Sequence, residues 1–333
     1  MRVLITGGTG FIGRPLTLGA LRRGWEVVVL VRRPESAAAR AIAARGARLV
    51  IGDITDDATF RAGLEVARPE VFFHNAGWYE LGIPRRARRQ MWATNVQATE
   101  SALDLAAQTG VPRVVYTSST TALGDTGGET VDETYQRRSP PMSYYEQTKA
   151  EAHAIARRHQ AAGEPVLIVC PAQVIGPGDH SAFGRMARLF ARGVLPPLGW
   201  APEGAFTYAH VDDVAAAILL AAEHGAAGQT YFLAGEVMTL RQVTHTWSAA
   251  TGHRLPFVWL PRPAALAMAS VAAPLLRLAG QPAFISPEVV RSSFVSFRYR
   301  SNKAIGELGA AFRPAAQAWT ETLRAGTASQ RMA

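Results

Sequence analysis

The chain begins Met1-Arg2-Val3-Leu4-Ile5 and runs at once into Thr6-Gly7-Gly8-Thr9-Gly10-Phe11-Ile12-Gly13. An apolar run followed by glycines at this spacing predicts a buried strand, a tight turn and a helix opening at the same sheet edge. Gly7 turns the chain off the strand, Gly10 lets the backbone approach a phosphate, and Gly13 lets the helix pack closely on the sheet. The helix N-terminus then faces the phosphate charge. Pro15 suits a first helical turn, where its missing N–H has no intrahelical acceptor to lose. The predicted object is a dinucleotide pyrophosphate cradle heading an α/β domain.

The following segments continue the pattern. Strand-like runs fall at Glu26 to Val31, Ala47 to Ile51, Val71 to Phe73, Arg113 to Thr117 and Val166 to Cys170. They alternate with helical spacing near Phe11 to Arg23, Glu35 to Arg45, Arg86 to Gln108 and Ser143 to Ala162. This alternation predicts a parallel, doubly wound sheet with right-handed crossovers. Beyond about residue 180, breaks at Pro196-Pro197, Pro261 to Pro263 and Pro282 divide short helices. We therefore expect a dinucleotide domain over 1–180, a smaller, mostly helical substrate lobe over 181–330, and a return to the first domain around 204–233.

A length of 333 residues with 48% hydrophobic content supports a sizeable core. The net charge is +9, yet only Lys149 and Lys303 among the 35 basic residues are lysines. Even the densest cluster, Arg85, Arg86, Arg88 and Arg89, lacks interleaved aromatics, so no nucleic-acid partner is expected. The lone Cys170 forms no intrachain disulfide or cysteine zinc site and is read as a core residue; no metal is expected. The N-terminus lacks a signal-peptide h-region, and a cytoplasmic location is expected. The apolar stretch Ala264 to Leu276 is too short to span a bilayer and is interrupted by Pro274, so it reads as a buried helix or a lid over an apolar ligand.

The second strand ends Leu30-Val31-Arg32-Arg33, where an NAD-selective site would place a carboxylate for the ribose hydroxyls. A guanidinium binds a 2′-phosphate through forked, charge-assisted hydrogen bonds, so Arg32 favours NADP(H). NAD(H) stays open, because two solvated arginines are the competing reading. In Tyr145-Glu146-Gln147-Thr148-Lys149 the four-residue spacing puts phenol and ammonium on one helix face. A cation there would stabilise a phenolate and make Tyr145 a useful acid or base. Tyr144 would pair with Thr148 instead. Hydroxyls cluster beyond the fifth strand at Thr117-Ser118-Ser119-Thr120-Thr121, where one serine could hold a substrate oxygen.

These segments, in this order and spacing, resemble the extended short-chain dehydrogenase/reductase superfamily, the NAD-dependent epimerase/dehydratase family, and the resemblance covers most of the chain. It implies a Rossmann fold and selects Ser119, with Tyr145 and Lys149, as the catalytic set. Its cofactor residues would be Gly7, Thr9, Gly10, Phe11, Ile12, Gly13, Asp53 and Ile54 over the adenine, and Asn75, Ala76 and Gly77 along the adenosine. Thr117, Tyr145, Lys149, Pro171, Ala172, Gln173 and Val174 would lie at the nicotinamide side. Asn95 to Thr99 and His210 to Ala215 also match family patterns. The resemblance implies homodimerisation through the helices at 86–108 and 143–162.

Departures narrow the reaction. Cys170 and Leu123 replace residues of several sugar-nucleotide members, and Thr120-Thr121 stands where dehydratases need an acid pair. Leu30 to Pro34 looks more like the dihydroflavonol reductase branch. Trp78, Tyr79, Trp200, Phe206 and Tyr208 suggest an apolar pocket. The expectation is an NADP-dependent reductase of a ketone or aldehyde on an apolar small molecule, run in either direction, with Tyr145 as proton donor. A nucleotide-sugar epimerase and a non-catalytic NADP-binding regulator are the rival readings.

Overall fold

The computed structural model describes residues 1–254 and 258–328. Its first part alternates β1 (Arg2–Thr6), α1 (Gly13–Arg22), β2 (Glu26–Val31), α2 (Ala37–Ala43), β3 (Arg48–Ile51), α3 (Asp57–Ala67) and β4 (Val71–His74). A long helical segment follows as α4 (Arg85–Trp92), a π turn (Ala93–Gln97) and α5 (Ala98–Gln108), then β5 (Val114–Thr117), α6 (Tyr144–Ala161) and β6 (Val166–Pro171). The strands are β-branched and buried on both faces, as a parallel sheet covered by helices requires. Ser36, Asp56 and Ser143 cap α2, α3 and α6 by accepting N–H bonds from the first turn.

The remaining elements are β7 (Gln173–Ile175), α7 (Ala182–Ala191), β8 (Leu198–Trp200), β9 (Ala205–His210), α8 (Val211–His224), β10 (Thr230–Leu233), β11 (Glu236–Thr239), α9 (Leu240–Thr251), β12 (Val258–Leu260), α10 (Arg262–Leu278), α11 (Pro287–Ser293), β13 (Ser296–Phe297), α12 (Asn302–Leu308) and α13 (Ala315–Ala328). The main sheet runs β10-β6-β5-β4-β1-β2-β3, parallel throughout. Strand order reverses between β1 and β4, so the loops leaving their carboxyl ends diverge and open a crevice. The stretch around 204–233 divides: β9 pairs with β7, β11 and β13 in a second sheet, whereas α8 packs on α1 and β10 extends the main sheet. The lobe therefore carries strands as well as helices, including a two-stranded β8–β12 sheet.

The apolar stretch 264–276 corrects its own expectation. It lies in α10, which buries only the stripe Ala265, Ala269 and Ala273, while Val271, Leu275 and Leu278 are exposed. Among the described residues, no helix is long and apolar enough to cross a membrane.

Candidate active site

The glycine turn is held by geometry that only glycine tolerates. Gly7 has a φ of +67°, and a side chain there would strike the Ala76 backbone at 2.8 Å. A Cβ on Gly13 would sit 1.9 Å from the Gly7 carbonyl oxygen, so α1 begins directly under the loop. Gly10 meets only the Gly7 oxygen, at 3.2 Å, and otherwise faces open space. Above it lies a cleft of about 790 Å³ lined by Gly7, Thr9, Gly10, Arg32, Asp53, Ile54, Ala76 and Gly77. Arg32 is exposed at the cleft's far end and makes no hydrogen bond or ion pair among the described residues. Gly8, which the sequence reading passed over, has its own constraint: a Cβ would meet Val29 and Thr17 at 2.7 and 2.8 Å.

At the near end, a cavity of about 310 Å³ shares Gly7, Gly10, Ala76 and Gly77 with the cleft. Phe11, Ile12, Asn75, Thr117, Ser119, Tyr145, Lys149 and Pro171 to Val174 line it. The structure thus gathers every sequence-selected cofactor and catalytic residue around two joined spaces except Gly13, which lies behind the loop. Ser118 also lines the cavity, but its hydroxyl is paired with His153 Nδ1 at 2.9 Å. The Ser119 hydroxyl accepts from the Thr121 N–H and caps the short 3-10 turn Thr120–Ala122.

Several buried bonds fix α6, which carries Tyr145 and Lys149. Asn95, turned inward by the π segment, donates to Thr148 Oγ1 at 3.0 Å and brackets the Trp78 peptide. Glu146, 1% exposed, pairs with Arg137 at 2.7 Å. Arg137 also donates to the Thr121 and Ala122 carbonyls, tying the hydroxyl turn to α6. His74 bridges Thr6 and Thr99, and burial drops its pKa to about 3, so it is a neutral structural histidine.

Burial dominates the electrostatics. It raises the Tyr145 phenol well above its ordinary range, and only the facing Ser119 hydroxyl works the other way. Burial lowers Lys149 to about 8, and its ammonium donates to the Thr117 carbonyl at 3.2 Å. Lys149 is not among the groups that shift Tyr145 in this arrangement, its ammonium being turned to the Thr117 carbonyl.

The aromatic residues separate. Tyr79 stacks edge-on against Tyr145, with ring centres 4.8 Å apart, and Trp78 lines the same cavity. Phe206 borders a small gap beside Tyr145. Trp200 lies in another chamber, and Tyr208 is fully buried between Phe183 and Trp319, lining none of these spaces. That corrects the expectation for Tyr208: it lies two residues beyond Phe206 on the same strand face, but under α13. Sequence reasoning also missed Asp179, a fully buried carboxyl on the cavity wall whose pKa burial raises. The signal was its place just after the Gly176-Pro177-Gly178 turn.

Comparison with known proteins agrees with this architecture. The model of the NAD dependent epimerase/dehydratase family matches residues 3–234. The chain is 32% identical to a provisionally named dihydroflavonol 4-reductase of Synechocystis, over 92% of this chain and 88% of that one. It is 31% identical to the 4-hydroxy-2-methyl-3-oxo-4-farnesyl-3,4-dihydroquinoline-1-oxide ketoreductase of Stigmatella aurantiaca, over 99% and 98%. The crystal structure of gox2253 superposes with a TM-score of 0.82 at 30% identity, covering 99% of both chains. With the glycine cradle and the sheet's switch point in place, the chain belongs to the NAD-dependent epimerase/dehydratase family, within the extended short-chain dehydrogenase/reductases.

Proposed function

We propose that the protein is an NADP-dependent carbonyl reductase acting on a ketone or aldehyde of an apolar small molecule. The observation that carries this reading is the shared cavity: Ser119, Tyr145 and Lys149 line one space that opens into the glycine cleft, at whose other end Arg32 stands unpaired. The residues fit a nicotinamide dinucleotide, since Asn75 Oδ1 and Thr117 Oγ1 are buried on the cavity wall without partners. Arg32 would hold the 2′-phosphate, and Lys149 a ribose hydroxyl.

A bound nicotinamide would supply hydride to the carbonyl carbon. Ser119 and Tyr145 would then hold the oxygen, where their hydroxyls can stabilise the charge that develops on it. At neutral pH the Tyr145 phenol carries the proton a donor needs, and burial works against the phenolate that donation would leave. With a pKa near 8, Lys149 is largely cationic at neutral pH and would stabilise the phenolate left after transfer. The two relatives are named as reductases of a dihydroflavonol and of a farnesylated dihydroquinoline. Trp78, Tyr79 and Phe206 suit a substrate of that apolar kind.

Tyr145→Phe should abolish NADPH-dependent reduction across a panel of cyclic ketones and aryl aldehydes while leaving NADPH binding intact; retained turnover would refute the assignment. The family name also covers epimerases, which regenerate their cofactor. One-for-one consumption of NADPH with product is the result expected of a reductase.

A further inference from the structure

Beyond the catalytic cavity lies a second space, partly open to solvent. It lies between α7, α9 and the β8–β12 sheet and measures about 390 Å³, within the ~300–1,000 Å³ range of ligand pockets. Two helices present matched apolar faces to it: Phe183, Met186 and Phe190 from α7, and Leu240, Val243 and Trp247 from α9. These spacings put each set on one side of its helix. Among the described residues Arg254 is the only arginine or lysine on the walls, and no aspartate or glutamate lines them. The indole N–H groups of Trp200 and Trp247, both on wall residues, are buried without a hydrogen-bond partner among the described residues.

The chamber adjoins the reaction site. A gap of about 60 Å³ borders Tyr145, Tyr79, Thr121, Phe206 and Phe297 on one side, and Phe183 is common to its wall and the chamber's. The consecutive residues Ser292 and Ser293 likewise line the gap and the chamber respectively. A gap of this size suits a flexible chain better than a fused ring.

We propose that this chamber receives the distal arm of the substrate, so that the substrate class is a ketone or aldehyde bearing a long, flexible, uncharged apolar chain. Its carbonyl lies at Ser119 and Tyr145, and its arm passes Phe183 into the space between α7 and α9. This rests on the reductase reading above. A nucleotide diphosphate would need several cationic partners, and the chamber walls offer one.

The test is a series of methyl ketones with linear arms from butyl to tetradecyl. In the wild type, kcat/KM should climb up to about fourfold for each methylene that enters the chamber, from ~0.8 kcal/mol per buried methylene. Thr244→Phe and Met186→Trp fill the chamber from two half-buried wall positions. Both should flatten the long-arm rise and leave the butyl ketone unchanged. A second readout needs no turnover: a long ketone with a terminal bromine should quench tryptophan fluorescence in the wild type and less in both filled variants. Turnover independent of arm length, or a length dependence that survives both fillings, overturns the proposal. So does quenching that disappears on filling while kinetics ignore arm length, which would mark a separate apolar ligand. If no ketone turns over yet filling abolishes quenching, the chamber's apolar ligand is supported and the reductase reading alone falls.

Discussion

Adding one methyl group at Gly13 separates the loop's shape from its chemistry. The Cβ of an alanine there would lie 1.9 Å from the Gly7 carbonyl oxygen, 2.7 Å from its carbon and 2.8 Å from Gly8 Cα. All three are backbone atoms, so no side-chain rotation relieves the clash. Reaching an ordinary contact of about 3.5 Å requires the loop and helix to part by roughly 1.5 Å. Overpacking of this kind costs about 1–3 kcal/mol. At about 2–4 °C per kcal/mol, or somewhat less in a longer chain, Tm should fall by several degrees. If the shift also removes one N–H bond to a charged phosphate, ~1.5–3 kcal/mol, NADPH affinity should fall roughly 10- to 150-fold. Gly10→Ala is the control, since its Cβ meets only one atom, at 3.2 Å, and then the open cleft. It should keep the wild-type Tm and lose NADPH affinity. Thermal melts and fluorescence titration read both quantities. A Gly13→Ala protein that melts and binds like the wild type, or a Gly10→Ala protein that unfolds as early as Gly13→Ala, would refute the division of labour.

Arg32→Ser should weaken NADPH binding by about 10- to 150-fold, one charge-assisted contact of ~1.5–3 kcal/mol, and leave NADH binding unchanged; an unaltered preference in titration would return Arg32 to the solvated class. Arg137→Met should cost about 3 kcal/mol by leaving Glu146 buried without its cation, and adding Glu146→Leu should recover most of it. Urea unfolding of the single and double variants checks this, with an additive loss as the contrary result. Burial lowers His153 to about 4 and His74 to about 3, so below about pH 6.5 the unfolded chain takes up protons that the folded chain refuses. Stability should be complete above that pH and fall by about 2 kcal/mol per histidine between pH 6.5 and 5; His153→Gln should shrink this slope in urea unfolding, and an unchanged slope counts against the assignment.

The parts legible in sequence are those set by local geometry. Glycine spacing announces the turn because Gly7 needs a positive φ and Gly13 meets the Gly7 carbonyl six residues back, whereas the contact of Gly7 with the Ala76 backbone comes only with the fold. The β2 run Glu26–Val31 announces itself because both faces are buried. Helix α3 was not anticipated: its apolar positions Phe60, Leu64 and Ala67 are few, and Gly63 interrupts them to make room for Leu30. β13 is two residues long and exists only because β9 pairs with it. Phe206 and Tyr208 are equally aromatic and equally placed on one strand, yet one borders the gap and the other lies under Trp319. That difference belongs to packing against α13, about a hundred residues away. The Arg137–Glu146 pair was hidden for a similar reason, since only the folded turn brings its partners together.

The titrating groups of the site share one cause. Tyr145 is pushed up and Lys149 down to about 8, so burial moves both toward their neutral forms. The phenol is therefore the resting form of Tyr145. In the proposed reduction Tyr145 would start with its proton, and the phenolate left by the transfer would bear the same desolvation, which the Lys149 ammonium would have to offset. The lysine's hold on Thr117, rather than on Tyr145, matches this balance: the cation is held one turn along the helix, beside the cavity, where it acts once negative charge forms. The i, i+4 spacing thus does more than bring an acid and a cation together. It keeps them in one cavity, so that in the proposed reaction the cation would stand beside the phenolate that proton transfer leaves.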